Sequence, residues 1–502
     1  MAELAQQYRP DEHEPAVYRQ WEKAGAFAPR PDAAGEPFVI MLPPPNITGS
    51  LHMGHALQDT IMDILIRWRR MQGRPTLWLP GTDHAAIATN RVLENQLRQE
   101  GTSRTAIGRE RYLKRAAQWY REVGDTIVNQ MKRLGCSCDW SRIRFTMDQP
   151  YIAAVQAAFV RYYQRGYIYR GNRLVNWCPS CASVVSDLEV VYREADTELV
   201  TLRYPLTDGG HTISVATTRP ETMLGDTAVA VHPDDKRYQS LIGRTAVLPL
   251  VGRKIPVIAD ARVDPAFGTG AVKVTPAHDA LDAAIGETHR LPAIKIIGED
   301  GLLTDAAGQF AGLPAASARA AVLHALERDG VASERRTFKH SISLCDRCGH
   351  VIEPLLSRQW FVAMNKLKNE TISTAANLIS FIPQRWRKHF ITWMENVHDW
   401  TISRQLWLGQ SVPAWWRPGA RGTANEAGNY VVSIVKPGSN SGLPAEDSGK
   451  GWEPDPDTLD TWFSSAIWPL ATLGWPAATD DLARYYPTSV LVTARDILYL
   501  WV

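Results

Sequence analysis

The chain lacks what would place it in a membrane or outside the cell. No apolar run in its 502 residues approaches the roughly 20 needed to span a bilayer. Its first residues, MAELAQQYRPDEHEPAVYRQW, hold no apolar core of the kind a secretory signal carries, so no signal peptide is expected. Cysteine is scarce, six in all, which excludes a disulfide framework. Charge of either sign is nearly balanced, at +2 with histidine neutral, so a nucleic-acid partner would be met by local patches. No repeat of solenoid period occurs. These absences imply a cytoplasmic protein with no membrane contact. What remains is an ordinary globular composition, 45% hydrophobic and 22% charged, at a length that suggests about three domains.

Residues 15–25 look like an opening helix, followed by a Pro/Ala/Gly loop. PFVIMLPPP has the pattern of a buried strand, about right for the first strand of an α/β sheet. The next stretch has helical periodicity, with Leu57, Ile61, Ile64, Leu65 and Trp68 on one face. RPTLWLP reads as a second strand, and residues 102–135 as mostly helix. Short β runs (HTISVATT, AVAVHP, TAVLPLV, KIPVIAD, GAVKVTP) then alternate with Gly and Pro, which suggests an inserted β domain. Residues 355–391 are expected to be helical, and 417–450, rich in Gly, Ser, Pro and Asn, a surface loop.

The densest chemistry lies in PPPNITGSLHMGHAL, residues 43–57. A strand–loop–helix setting puts His52 and His55 near a helix N-terminus, where free N–H groups and the dipole attract anions. Gly54 lets a ligand approach the backbone, and imidazoles can donate to phosphate oxygens that gain charge in a transition state. A bare pair of histidines three apart is equally a metal-ligand pair or a surface feature; GTDH one strand later is what favours the first reading.

With these neighbours the stretch resembles the HIGH signature of class I aminoacyl-tRNA synthetases. PPPN-TGSLHMGH together with GTDHAAIAT is similar, more narrowly, to the valine-specific family, the valyl-tRNA synthetases. The resemblance implies ATP, with Mg2+, held at His52, Gly54, His55 and Asn46, the two histidines being catalytic. It implies a valine pocket at Pro44, Pro45, Asp83, Trp462, Ile497 and Trp501, where Asp83 takes the ammonium and rigid walls suit a small branched side chain. Partners would be tRNA(Val), valine and ATP, with the chain a monomer.

Cys178 and Cys181 (CPSC) and Cys345 and Cys348 (CDRC) form two CxxC turns, each presenting two thiolates; together they make a tetrahedral set for a structural Zn2+. Two unrelated redox pairs are the alternative. The long interval between the turns makes sense if a separate domain loops out of the knuckle. Cys136 and Cys138 read as buried spectators.

Inside that interval, ATTRPETMLGDTAVAVHP and GTGAVKVTPAHDALD resemble the family's editing domain. The need is physical: an apolar pocket cannot strongly reject a hydroxyl in a methyl's place, and valine against threonine is the established instance. The resemblance places Thr217, Arg219, Lys273, Thr275, Asp279 and Asp282 around a site that hydrolyses mischarged threonyl-tRNA(Val). A carboxylate there would hold the substrate ammonium, and Arg219 and Lys273 the tRNA's terminal nucleotide. Leu281 and Ala283 stand where Asn and an aromatic are usual, and Gln410 and Ser411 where His and Arg are usual.

The fold implied is α/β. A Rossmann-type catalytic domain is split by a zinc knuckle, which is split in turn by a β-rich editing domain. The boundaries expected are 1–168 and 361–502 for the catalytic halves, 169–193 and 337–360 for the zinc module, and 194–336 for the insertion. No KMSKS-like run occurs, so the resemblance implies an N-terminal portion, without the anticodon-binding domain, and weak or no adenylation by this stretch alone. A stand-alone hydrolase of mischarged tRNA, a non-enzymatic tRNA-binding relative and an isoleucine- or leucine-type synthetase are the other readings.

Overall fold

The chain leaves one folded unit, builds a second, and returns. Met1–Tyr169 and Trp360–Val502 form the first unit, and Arg170–Gln359 the second. The computed structural model describes residues 7–30, 33–423, 426, 428–437 and 451–502.

The first unit opens with helix α1 (Pro10–Lys23), whose proline in the first turn costs no helix hydrogen bond. Strand β1 (Phe38–Met41), helix α2 (Met53–Met71) and strand β2 (Thr76–Leu79) make a parallel βαβ unit, in register from Phe38↔Thr76 to Met41↔Leu79. All eight strand residues are buried, as a sheet covered on both faces requires. Side chains alternate. Val39, Met41, Leu77 and Leu79 join a core with Tyr151, Phe159, Trp360, Trp416, Phe463 and Trp468. Phe38, Ile40 and Trp78 join another with Met62, Ile66, Ile127 and Met131. Strand β3 (Gly81–Thr82), helices α3 (Ala86–Gln99), α4 (Arg104–Ile107) and α5 (Arg109–Leu134), strand β4 (Arg144–Phe145) and helix α6 (Gln149–Gln164) follow. Strand β5 (Ile168–Cys178) carries the chain out.

In the second unit β5 turns back into β6 (Ser183–Val185). Then come β7 (Val190–Pro205), β8 (Thr212–Thr217), β9 (Ala228–Val231), β10 (Thr245–Val247), β11 (Lys254–Ala259) and β12 (Ala271–Val274). Helices α7 (Ala280–His289) and α8 (Ala315–Arg328) precede β13 (Ala332–Cys345). The sheets run β13-β7-β8 and β10-β11-β9-β12. All five β runs expected in this stretch are strands. β7 and β13 pair from Cys345↔Val190 to Ala332↔Leu202, with one irregularity near Ala332. The expected boundaries at 193/194 and 336/337 therefore fall inside one ladder.

β14 (Glu353–Val362) returns the chain to the first unit, where α9 (Lys368–Asn377), α10 (Arg385–Asn396) and α11 (Thr461–Ala466) follow. Here two expectations are corrected. Residues 355–362 are strand, not helix: Leu355, Ser357 and Gln359 are buried while Pro354, Leu356 and Arg358 are less so, and adjacent apolar pairs hid that period of two. Helix α2 exists as expected, but it buries Met62 and Ile66, and of the expected apolar face only Leu65 packs against the core while Leu57, Ile61, Ile64 and Trp68 face outward. Met53 (82%), Leu57 (65%), Ile64 (61%) and Met71 (87%) are exposed along its length. Of the loop expected at 417–450, residues 430–432 form a strand against 414–416, and 438–450 lie outside the described residues. Among the described residues no helix is long and apolar enough to cross a membrane.

Gly81 is where this unit tolerates no side chain. A Cβ there would lie 2.1 Å from Trp468 Cη2 and 2.5 Å from the Arg144 carbonyl oxygen, and neither the buried indole nor the backbone can yield cheaply. Gly81→Ala is expected to lower the urea midpoint of the first unit by the equivalent of about 1–3 kcal/mol, read by tryptophan fluorescence.

Candidate active sites and a candidate metal centre

His52 is the N-cap of α2, in extended conformation. Its Nδ1 accepts from Gly54 N at 3.1 Å, and His55 Nδ1 accepts from His52 N at 3.3 Å, a capping box built from two imidazoles. The ring centroids are 4.0 Å apart. Because each Nδ1 accepts, the hydrogen bonds assign each neutral ring's proton to Nε2. Burial, and next the neighbouring His52, push the His55 pKa down, so His55 is a neutral N–H donor near pH 7. A β-carbon on Gly54 would meet the His52 ring at 2.9 Å, so glycine is what lets that ring lie across the helix mouth. Leu51 N donates to Gln130 Oε1 at 2.8 Å, tying the preceding loop to α5.

The loop after β1 is laced to the segment after β2. Asp83 N donates to Pro45 O and Ile47 N to Asp83 O, both at 2.9 Å. Asn46 thereby sits beside Asp83, with its side chain exposed, Pro44 half-buried and Pro45 buried. The Asp83 carboxylate is 2% exposed; Oδ1 accepts from Ala85 N at 2.7 Å and Oδ2 from Ser465 Oγ. Trp501 Nε1 donates to Ser465 O at 2.9 Å, and Trp462 lies on the same short helix, α11. Asp83 and Trp501 therefore meet at Ser465, with Trp462 three residues earlier on the same helix; Ser465 is a residue sequence reasoning missed, and the only signal was its place three residues after Trp462. Ile497 is half-buried on helix Arg495–Leu500.

Gln410 is buried and donates to the Thr146 carbonyl, so this departure fills the interior. Ser411 lines a cleft of about 580 Å³ along α5 with Arg109, Tyr120, Arg121, Phe145 and Trp407. None of the expected site residues lines that cleft.

In the second unit, Lys273 Nζ donates to Thr275 Oγ1 at 2.7 Å, Thr275 Oγ1 to Asp226 Oδ1 at 2.6 Å, and Thr275 N to Asp282 Oδ2 at 2.8 Å. Lys273, Thr275 and Asp282 are thus together, with the wholly buried Asp226 at their centre. Asp226 was missed, although it lies inside the run ATTRPETMLGDTAVAVHP. Asp279 is the N-cap of α7, accepting from Leu281 N and Asp282 N. Thr217 Oγ1 accepts from Arg219 N at 3.0 Å. Arg219 itself is clamped between Glu221 and Glu353, with Glu221 also held by Arg319. His278 accepts from Ile296 N at 2.7 Å and its pKa is pushed down to about 3, first by burial and next by Arg219, so it is a neutral structural residue. Leu281 stands exposed on α7.

Burial pushes the Asp282 carboxyl up to about 7, against the pull of Lys273 and with Asp279 and Asp226 adding to the rise. A proton on or off Asp282 near neutrality suits general acid–base work.

The four thiols Cys178, Cys181, Cys345 and Cys348 gather with all sulfurs within 4.8 Å of one another. Cys178 Sγ lies 3.4 Å from Cys348 Sγ, and Cys181 Sγ 4.0 Å from Cys345 Sγ, too far for disulfides. Four sulfurs around one zinc at ~2.3 Å stand about 3.8 Å apart, so the cluster can hold that ion.

The match to the family model "tRNA synthetases class I (I, L, M and V)" runs over residues 16–502. The chain is 50% identical to the valine--tRNA ligase of Synechocystis sp., over 99% of this chain and 55% of that protein. It is 48% identical to the valine--tRNA ligase of Thermotoga maritima, over 100% of this chain and 57% of that one. The chain thus spans about half the length of the curated relatives it matches. The LeuRS-tRNA-LeuAMS ternary complex of Agrobacterium radiobacter K84 is similar at a TM-score of 0.49 and 18% identity, covering 98% of this chain and 64% of that one.

Two outcomes are expected. Metal analysis of the purified chain finds about one zinc, and Cys178→Ala loses it together with stability of the second unit. Asp282 holds its proton in the fold up to about 7 but releases it near 3.8 when unfolded. Its contribution to stability is therefore full below 3.8 and lost as pH rises through 7. Denaturant unfolding from pH 4 to 8 should show that decline in the second unit, and Asp282→Asn should flatten it.

Proposed function

This chain belongs to the class I tRNA synthetases of the I, L, M and V group, and from that premise we propose that it carries the valine-activating and proofreading sites of a valine–tRNA ligase. What supports the reading most is the capping box of His52 and His55 at the mouth of α2, laced through residues 45–47 to Asp83.

ATP phosphates lie at His52, Gly54, His55 and Asn46. Two neutral Nε2–H donors and the free N–H groups of the helix mouth stabilise charge as the valine carboxylate attacks the α-phosphorus and pyrophosphate leaves. Asp83 uses two lone-pair directions for Ala85 N and Ser465 Oγ and keeps the others for the valine ammonium. Pro44, Pro45, Trp462, Ile497 and Trp501 wall the side chain. The terminal 2′-hydroxyl of tRNA(Val) then displaces AMP.

Threonyl-tRNA(Val) is hydrolysed in the second unit, at Lys273, Thr275 and Asp282, with Thr217 and Asp279 shaping the site. Arg219 fixes the loop before residue 220 through Glu221 and Glu353 and meets the tRNA's terminal nucleotide with its remaining N–H groups. Water adds to the ester carbonyl, the bond to the ribose oxygen breaks, and that oxygen takes up the proton. The four cysteines hold a structural zinc. The zinc module expected at 169–193 and 337–360 and the editing domain expected at 194–336 together span the second unit, Arg170–Gln359, to within one residue at each end.

The test is hydrolysis of threonyl-tRNA(Val) beside valyl-tRNA(Val). Selective loss of the threonyl ester, slowed about 100-fold or more by Asp282→Ala, is expected. Background rates for both esters would sink the proofreading half of the reading.

A further inference from the structure

Asp83 must leave part of its carboxylate open for a substrate ammonium, so its own side-chain bonds cannot be all that places it. Strands β3 and β4 run parallel, with Gly81 beside Arg144 and Thr82 beside Phe145, and this brings Thr146 alongside Asp83. Thr146 N donates to the Thr82 carbonyl at 3.2 Å, and Thr146 Oγ1 accepts from His84 N at 2.9 Å. On the other side, Asp83 N donates to Pro45 O and Ile47 N to Asp83 O. Both peptide groups flanking Asp83 are therefore bonded at their N–H and at their carbonyl. One threonine supplies two of those four bonds.

The His84 ring meets the same hydroxyl. Thr146 and His84 are both wholly buried. His84 Nε2 has no hydrogen-bond partner among the described residues. A buried N–H without a partner is rarer than a lone pair without one, so the ring proton belongs on Nδ1. Nδ1–H then donates to Thr146 Oγ1 at 2.7 Å and lies 3.4 Å from Asp83 Oδ1. Burial pushes the His84 pKa down against the pull of Asp83, so the ring is neutral.

Thr146 is anchored in turn. The buried Gln410 donates from Nε2 to its carbonyl at 2.5 Å, and Leu459 N donates to Gln410 O at 2.7 Å. Leu459 leads into α11, whose Ser465 hydroxyl bonds the Asp83 carboxylate. The bonds close a ring that begins and ends at Asp83.

We infer that Thr146 is a positioning residue of the amino-acid site: its hydroxyl and N–H fix the peptide groups on both sides of Asp83 and so hold the open lone pairs of that carboxylate where a substrate ammonium arrives. This inference rests on the reading of Asp83 as the ammonium ligand.

The test compares Thr146→Val, which keeps the shape and loses the hydroxyl, with Thr146→Ser, which keeps the hydroxyl. Two probes are titrated by calorimetry: a valyl sulfamate of adenosine, and its des-amino counterpart with hydrogen in place of the ammonium. Hydrogen exchange of the Ala85 amide is followed without ligand. That N–H is held by Asp83 Oδ1, so it reports the place of the carboxylate. In Thr146→Val the amine-bearing probe should bind about tenfold more weakly, the des-amino probe within about twofold of native, and the Ala85 amide should exchange about tenfold faster. Thr146→Ser should restore all three. Equal weakening of both probes, unchanged affinity, or an unmoved exchange rate overturns the inference. Should Thr146→Val fail to fold, Gln410→Met cuts the anchor and leaves the hydroxyl in place; a loss confined to the amine-bearing probe is expected there, and equal loss or none overturns it. A native chain that binds neither probe, or both alike, defeats the valine-site reading; the Ala85 exchange rate then decides alone whether Thr146 holds Asp83.

Discussion

The hydrogen bond from Ser465 Oγ to Asp83 joins residues 382 apart in sequence. The first unit is made from two stretches separated by the whole second unit, so it exists only through contacts of this kind. Val39 N donates to Ser489 Oγ at 3.0 Å, Ile40 bridges Val490, and Tyr151 Oη donates to Ser464 O at 2.8 Å. A large apolar core formed by both stretches supplies the bulk of the stabilisation. The Asp83 bond adds something else. A buried carboxylate left unpaired is expensive, so it fixes where residues 461–466 must sit, and with them Trp462. One interaction both ties the two stretches together and sets the place of the short helix that carries Trp462.

The two sites handle charge in opposite ways. At the mouth of α2 the protein offers neutral donors: half-burial keeps His55 uncharged, and backbone N–H groups and the helix dipole supply the positive potential. In the second unit it places charges against one another at or near the interior, Lys273 against Asp226 and a part-buried Arg219 between two buried glutamates, and satisfies each with hydrogen bonds. The first arrangement suits a ligand that brings its own large negative charge. The second suits a small polar group that must be told apart from an apolar one.

Much of this was legible in the sequence, because it depends on local pattern. HMGH before an amphipathic stretch announces a helix mouth, two CxxC turns announce a four-thiol cluster, and the short β runs in the insertion carried clear turn residues at their ends. What escaped depends on distant contacts. The period of α2 is plain, yet nothing in the period says which side meets the sheet: Met62 and Ile66 do, and Leu57 and Ile64 do not. Ser465 and Asp226 look like any serine and any aspartate until the fold brings Asp83 to one and Thr275 to the other. Residues 355–362 mixed two periodicities, and sheet pairing decided between them.

The ladder of β7 and β13 brings the two ends of the intervening 203–331 segment side by side. The segment therefore hangs from a two-stranded stalk, and the entropy of closing so long a loop is met once, at the stalk, where it grows only slowly with length. Such a segment is modular: a tight turn could replace it while the strands continued to hold the cysteine turns at their base, and segments of other lengths could be grafted on the same strands. The attachment still touches its base, where Arg219 of the segment pairs with Glu353 of β14 and Trp177 of β5 donates to the Glu299 carbonyl, so any graft would have to replace those two contacts as well.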